Sequence, residues 1–137
     1  MPEAHAGRLF DHLHLRVSDL AASRRFYEAA LKSLGLEVRG GDHSFASDEL
    51  YVSDDGEPTT GMHLAFQAAD RDAVHRFYEA ALAAGGRDNG APGERSYHAG
   101  YYAAFVLDPD GNNIEAVYHG PFERSAPSVV FTWDEPE

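Results

Sequence analysis

The sequence predicts an α+β fold built from two tandem copies of one unit, each with the order strand, helix and three strands. The heptapeptide RFYEAAL occurs at residues 25–31 and again at residues 76–82, so the copies start 51 residues apart. Repetition at a fixed spacing indicates duplicated structural units. At the same spacing His12 corresponds to His63. Before each heptapeptide the apolar residues alternate with polar ones, and after it come turn-forming residues.

The first copy begins with a strand and continues into a helix. In residues 12–17 (HLHLRV) the apolar residues recur at every second position, which is typical of a half-buried strand. Asp19 stands where the N-cap of the following helix belongs, because its side chain can accept from a free backbone N–H. Gly35 is the expected end of that helix, since glycine adopts the left-handed conformation that terminates helices.

The second copy repeats this plan. Residues 62–67 alternate, Asp70 is the expected cap, and Gly85 and Gly86 end the helix. The sequence DPDG from Asp108 to Gly111 is typical of a turn, which is expected between the last two strands. The other strand candidates are residues 36–39, 43–46 and 49–53 in the first copy, and residues 95–98, 101–107 and 113–119 in the second.

The chain of 137 residues is expected to form one domain. Module one spans about residues 8–54, a linker spans 55–60, module two spans about 61–120, and a tail covers 121–137. The tail contains one apolar run, residues 128–133. That run is expected either to add an edge strand or to cover a neighbouring subunit.

Composition excludes several classes of function. The net charge of −12 without a basic run disfavours nucleic acid and anionic lipid as partners. No apolar stretch approaches the about 18 residues of a membrane span. Cysteine is absent, so disulfides and a thiol nucleophile are excluded. The N-terminus has no signal-peptide pattern, and we expect a cytoplasmic protein.

The strand alternation directs three polar residues away from the helices, namely His12, His63 and Glu115. If the sheets curl, these faces line a cup, and two imidazoles and one carboxylate on a concave wall suit a facial metal site. Each residue also has a simpler interpretation. A strand histidine can be a hydrogen-bonded structural residue, and Glu115 alone can be an ordinary exposed strand residue.

At these residues the chain resembles the vicinal oxygen chelate superfamily, which includes glyoxalase I, fosfomycin-resistance and bleomycin-resistance proteins and extradiol dioxygenases. The matching segments are residues 11–31, 61–66 and 105–120, and the DPDGN-x-IE pattern in the last segment is the most specific. The resemblance covers nearly the whole stretch from Leu9 to Gly120. It implies paired βαβββ modules that form a half-open mixed-sheet barrel around a metal ion.

The resemblance also implies a site. The ligand positions of metal-binding members match His12, His63 and Glu115, with His14 as the rival of His12 on the same face. Glu49 is the nearest candidate for a fourth ligand, and Glu115 or Glu49 would move a proton. The ligand set does not choose between zinc, nickel, manganese, cobalt and iron(II).

The implied activity is that of a small lyase, isomerase or transferase that chelates two neighbouring oxygens of its substrate. Extradiol dioxygenases resemble a four-module version, so that activity is less expected. The competing class is a metal-free protein that sequesters an aromatic toxin or antibiotic, because some relatives lack the metal. A homodimer is expected from small members of the superfamily. The candidate pocket residues are His14, Tyr51, His98, Tyr101 and His119, each of which can alternatively serve packing or lie on the surface.

Overall fold

A computed structural model describes residues 3–6, 9–122 and 129–132 of the chain. The helices are α1 (Leu20–Ser33) and α2 (Arg71–Ala83). The strands are β1 (Glu3–Ala6), β2 (Leu13–Arg16), β3 (Arg39–Gly40), β4 (Ser44–Ser47), β5 (Leu50–Ser53), β6 (His63–Gln67), β7 (Arg87–Glu94), β8 (Tyr102–Leu107), β9 (Asn113–Tyr118) and β10 (Val129–Thr132).

The two modules have the same topology. The first sheet has the strand order β2-β5-β4-β3, and the second has the order β6-β9-β8-β7. In each sheet the first strand of the module pairs in parallel with the last, and the other pairs are antiparallel. The predicted α+β fold with two tandem βαβββ modules is therefore confirmed. The two sheets remain separate, so they do not close into a complete barrel.

Both helices begin and end where the sequence predicts. The Asp19 carboxylate accepts a hydrogen bond from the backbone N–H of Ala22 at 3.1 Å, and the Asp70 carboxylate accepts one from Ala73 at 2.7 Å. Gly35 follows the end of α1 with φ of 84°, a conformation that only glycine adopts without strain. No helix in the described residues is long and apolar enough to cross a membrane.

The helices pack against one face of the sheets and against each other. Phe26 and Phe77, which are equivalent in the repeat, are both fully buried in one core that runs through both modules. Gly86 lies at the contact between the modules. A Cβ atom there would stand 2.6 Å from Phe26 and 2.4 Å from Val106, so any larger residue would push the modules apart.

The DPDG turn ties module two to α1. The Asp108 side chain is 1% exposed and accepts hydrogen bonds from the Tyr27 hydroxyl at 2.5 Å and from the backbone N–H of Asn112 at 2.9 Å. Burial and the neighbouring Asp108 charge raise the pKa of Tyr27 well above its ordinary value. The Ser18 hydroxyl, just before α1, donates to Asp110 at 2.6 Å. The most specific part of the motif therefore also joins the two modules.

Two of the strand predictions are wrong. Residues 95–98 form a turn, and the expected strand lies earlier, at Arg87–Glu94. That strand (RDNGAPGE) is an outer strand whose register is irregular around its glycines. Its residues therefore do not alternate between apolar and polar, and the period-two signal of a strand is missing. In the first module, residues 36–39 contribute only the start of the short strand Arg39–Gly40.

The apolar run of the tail does form a strand. Val129–Thr132 pairs antiparallel with Glu3–Ala6 in a separate two-stranded sheet. It therefore adds to neither edge of the two large sheets. The end residues of the predicted run, Ser128 and Trp133, lie outside the described residues.

Candidate functional site

The candidate site lies on the face of the second sheet that points away from the helices. Glu115 in β9 is the direct neighbour of Ala65 in β6 and of Phe105 in β8. Side chains of paired residues point to the same side of a sheet, so Ala65, Glu115 and Phe105 share one face. His63 lies two residues before Ala65 in β6 and is therefore on that face too. Ile114, the residue before Glu115, is fully buried in the core on the other face. The predicted orientation of this strand is confirmed.

His63 and Glu115 are in direct contact. The His63 Nε2 atom lies 2.7 Å from Glu115 Oε1. The Glu115 side chain is 1% exposed, whereas that of His63 is 54% exposed. The Tyr101 hydroxyl donates a hydrogen bond to the second oxygen, Oε2. A buried carboxylate needs such partners, because an unpaired one loses its hydration without compensation.

Tyr101 serves as a stable hydrogen-bond donor to Glu115. Burial raises the pKa of Tyr101 far above its ordinary value, and the hydrogen bond and negative charge of Glu115 raise it further. The positive charge of Arg95 acts in the opposite direction. Tyr101 therefore keeps its proton at any physiological pH, and its hydroxyl fixes the orientation of the Glu115 carboxylate.

Two further histidines adjoin Tyr101. The His98 Nε2 and His119 Nδ1 atoms are 2.8 Å apart, and the edge of each ring meets Tyr101 at centroid distances of 5.3 and 5.1 Å. His98 Nδ1 also lies 2.8 Å from the carbonyl oxygen of Ala99. Since a carbonyl only accepts, His98 donates there and accepts from His119 when both rings are neutral. Three of the predicted pocket residues thus form one cluster beside Glu115.

The corresponding face of the first sheet has a different network. His14 Nε2 lies 2.7 Å from the Ser53 hydroxyl, which donates to Asp55 at 2.6 Å. The Tyr51 ring packs on His14 with a centroid distance of 4.7 Å. Both predicted pocket residues of module one are therefore neighbours. The Nε2 atom of His14 is therefore engaged within its own sheet.

His12 lies just before β2, with its side chain 67% exposed and Nδ1 2.8 Å from the Asp11 carboxylate. Among residues 9–122, no contact joins it to His63 or Glu115. The described residues also contain no group of three or more His, Asp or Glu side chains that could hold a metal ion. Of the three predicted ligands, one chain therefore brings together His63 and Glu115 only.

The strand register identifies the module-one counterpart of Glu115. Leu13 pairs with Leu50 in the first sheet, and the equivalent Leu64 pairs with Ile114 in the second. Tyr51, which follows Leu50, thus corresponds to Glu115. Glu49 lies in the turn between β4 and β5, and the role of Glu49 as ligand or base stays a prediction.

The His63 and Glu115 pair fits two ligands of a divalent ion. Donor atoms on adjacent positions of one ion, each at about 2.0–2.2 Å from it, are about 3 Å apart in octahedral and about 3.4 Å apart in tetrahedral coordination. The 2.7 Å separation of His63 Nε2 and Glu115 Oε1 is that of a hydrogen bond, so the two side chains would move slightly apart to take up an ion. An imidazole and a carboxylate suit zinc, nickel, manganese, cobalt and iron(II) alike.

Sequence reasoning missed two residues of this face. They are Phe105 and Arg95. The Phe105 ring lies 6.1 Å from the His63 ring, and the Arg95 guanidinium lies over the same Phe105 ring at 5.3 Å. The pairing of β8 with β9 across the DPDG turn would have placed Phe105 beside Glu115. For Arg95 the available signal was the pair of glycines, Gly90 and Gly93, in the preceding segment.

Known proteins share this architecture. Residues 9–116 match the family model of the Glyoxalase/Bleomycin resistance protein/Dioxygenase superfamily. A glyoxalase/bleomycin resistance protein from Albidiferax ferrireducens T118 is 30% identical, with a TM-score of 0.70 over 80% of this chain and 98% of its own. A glyoxalase-related enzyme from Fulvimarina pelagi is 21% identical, with a TM-score of 0.64 over 85% and 94%. The oxidase ChaP-H2 is 24% identical, with a TM-score of 0.57 over 79% and 92%. No curated protein matches the chain.

Proposed function

The chain belongs to the glyoxalase/bleomycin resistance protein/dioxygenase superfamily, and on this premise we propose that it is a divalent-metal-dependent enzyme of the glyoxalase type. Its substrate is a small molecule with two neighbouring oxygens, and its reaction is that of a lyase, isomerase or transferase. The contact between His63 and the buried Glu115 is the observation that carries this proposal.

The residues of the site have distinct roles in this proposal. His63 and Glu115 would hold the ion, which supplies Lewis-acid polarisation of the substrate oxygens. Tyr101 holds the carboxylate of Glu115 in one orientation through Oε2. Glu115 is also the candidate to accept or return a substrate proton, because its carboxylate is in direct contact with the exposed His63.

We further propose that two copies of the chain complete the site. In this arrangement His12 of a second copy joins His63 and Glu115. Three features support it. His12 is exposed, its ring is oriented through Nδ1 by Asp11 in the manner of metal-binding histidines, and both sheets are open. A twofold axis would then create two identical sites per dimer.

Elemental analysis of the purified, untagged protein tests the metal. We expect about one divalent ion per chain. His63→Ala and Glu115→Gln are expected to lose it, and His43→Ala, which removes an exposed histidine in the β3–β4 turn, is expected to keep it. A wild-type protein that stays metal-free after reconstitution with nickel, zinc, manganese and iron(II) would contradict the proposal.

Mixing two variants that each lack one metal ligand tests whether the site is shared between two chains. His12→Ala and His63→Ala homodimers each carry one damaged ligand in every site. After dissociation and random reassociation, roughly half of the dimers are mixed, and one of their two sites contains all the native ligands. Metal content should therefore return to roughly a quarter of the wild-type level. If every site lies within one chain, the mixture binds no metal at all.

A second function is favoured by one observation. Tyr97 is 70% exposed, and its ring meets Tyr101 at 4.9 Å beside the histidine pair. This exposed aromatic cluster suits a planar ligand, as in a metal-free protein that sequesters an aromatic toxin or antibiotic. Calorimetric titration of the metal-free protein with planar aromatic natural products tests it. Tight binding that Tyr97→Ala abolishes, in a protein that takes up no metal, would favour sequestration over catalysis.

A further inference from the structure

Arg95 places a positive charge on the candidate site. Its guanidinium lies over the Phe105 ring at 5.3 Å, and the His63 ring lies 6.1 Å from the same phenyl ring. Phe105 is directly paired with Glu115 across the β8–β9 ladder. Arg95 and the proposed metal ligands therefore pack around one aromatic side chain on one face of the sheet.

The neighbouring strand makes room for this guanidinium. A Cβ atom at Gly90 would stand 3.2 Å from Arg95 Nη2, and one at Gly93 would stand 3.2 Å from Arg95 Nη1. The register of β7 is irregular at the same two glycines. A glycine inside a strand often marks a place where another group approaches the backbone closely. Here both glycines lie against the flat guanidinium, which is therefore held in a defined place.

The charge of Arg95 has no acidic partner among the described residues. Its hydrogen bonds go to the carbonyl oxygens of Ala91 at 2.8 Å and Glu94 at 3.3 Å. The nearby Glu94 carboxylate instead accepts from Arg71 at 2.9 Å. A guanidinium has five N–H donors, so several remain for a ligand. In a chain with 23 acidic and 11 basic residues, a half-buried arginine without a carboxylate is unusual.

We infer that Arg95 binds an oxyanion group of the substrate, either a carboxylate or a phosphate. This substrate is the same one that the His63 and Glu115 site would bind. The inference rests on the proposed function and narrows it, because the substrate becomes a small anion whose charged group lies beside its two neighbouring oxygens. The guanidinium fork matches the two oxygens of such a group. A chain with a net charge of −12 repels anions, and a local cation is needed to hold one.

Nuclear magnetic resonance tests this in the metal-free, isotope-labelled protein. Inorganic phosphate and acetate are titrated while the Nε–H resonance of Arg95 is followed, with neutral acetamide as the matched control ligand. Saturable shifts with phosphate or acetate, and none with acetamide, are expected. The anion that saturates at the lower concentration identifies the preferred group.

Three variants locate the effect. Arg95→Met keeps the side-chain volume and should weaken anion binding at least about tenfold, in line with the loss of a charge-assisted hydrogen bond. Arg95→Lys keeps the charge without the fork and should retain part of the affinity. Arg76→Met removes an exposed arginine from α2, with the same change in net charge, and should bind as the wild type does.

An unmoved Arg95 resonance in the wild type, or equal affinity in Arg95→Met, would overturn the inference. The wild-type resonance and Arg95→Lys decide the matter if Arg95→Met fails to fold. Metal analysis of the same samples separates the two proposals. Normal metal content without anion binding refutes the role of Arg95 alone. Anion binding lost in Arg95→Met, in a protein that takes up no metal, supports the anion site and refutes the metal-dependent enzyme.

Discussion

The two modules are alike on the side of their sheets that faces the helices and different on the other side. Phe26 and Phe77 occupy equivalent positions and are both fully buried. On the opposite faces, the position of Glu115 in module two is occupied by Tyr51 in module one. Duplication has thus kept the packing that folds the chain, while the polar faces carry different chemistry. The buried carboxylate is a property of one module only.

A second pair shows the same asymmetry within the repeat itself. Tyr27 and Tyr78 are equivalent residues of the two RFYEAAL segments. The Tyr27 hydroxyl is buried and donates to Asp108 of the other module at 2.5 Å, whereas that of Tyr78 donates to the exposed Asp88 of its own module at 3.0 Å. Identical sequence therefore serves the contact between modules in one copy and a local surface contact in the other.

The largest expected effect comes from breaking the shared side. Phe26→Ala and Phe77→Ala each remove a fully buried ring from the common core. Each should lower the free energy of unfolding by about 3–5 kcal/mol, and the two losses should be similar. Urea denaturation followed by circular dichroism measures both. A loss below about 1 kcal/mol in one variant would mean that the two modules do not share an equivalent core. Leu9→Ala, at a side chain 82% exposed, is the control.

The next effect sharpens the difference between the polar faces. Tyr101→Phe removes the hydroxyl that holds Glu115 Oε2 and leaves the ring in place. If Glu115 is a ligand, metal affinity should fall about 10- to 100-fold, as is typical when a group that orients a ligand is lost. Competition with a chromophoric chelator measures it. Tyr97→Phe, which alters an exposed neighbour, should leave the affinity unchanged, and equal affinities in both variants would contradict the role of Tyr101.

A smaller effect separates the two repeat tyrosines. Tyr27→Phe leaves the buried Asp108 carboxylate without its hydroxyl donor and should cost about 2 kcal/mol of unfolding free energy. Tyr78→Phe removes a hydrogen bond between exposed groups and should cost much less. Equal losses in thermal or urea denaturation would show that the contact between Tyr27 and Asp108 does not hold the modules together.

The sequence was sufficient to predict the parts of the fold in which residues recur at a regular spacing. The repeat, both helices with their caps, and the alternation around His63 and Glu115 could be read from residue order, because each depends on local geometry. The strand at Arg87–Glu94 could not, since its irregular glycines leave no alternation. Arg95 was missed because its contact with the Phe105 ring is not local in the sequence. Its proposed role in anion binding depends on its position over the Phe105 ring and on the pairing of the nearby Glu94 carboxylate with Arg71.

The separation of His12 from His63 was also beyond the sequence. Equivalent positions in a repeat become neighbours only if the two sheets curl around one axis within a chain. Here the helices of both modules share a core, and the two sheets stay open. Sequence symmetry could therefore predict which residues are equivalent, but whether equivalent residues meet depends on how the modules pack.

The smallest expected effect is a pH dependence that again divides the two tyrosines. The pKa of Tyr27 is raised by burial and by Asp108, so Tyr27 keeps its proton in the folded chain at a pH where an unfolded tyrosine, with a pKa of about 10, ionises. The folded state then binds more protons, and the free energy of unfolding must fall as the pH rises above about 10. Below that pH the contribution is fully present. Urea titrations between pH 8 and about 11 should show a shallower decline in Tyr27→Phe than in the wild type, and nearly the wild-type decline in Tyr78→Phe, whose hydroxyl is exposed. A decline that Tyr27→Phe leaves unchanged would mean that other groups set the alkaline limit of the fold.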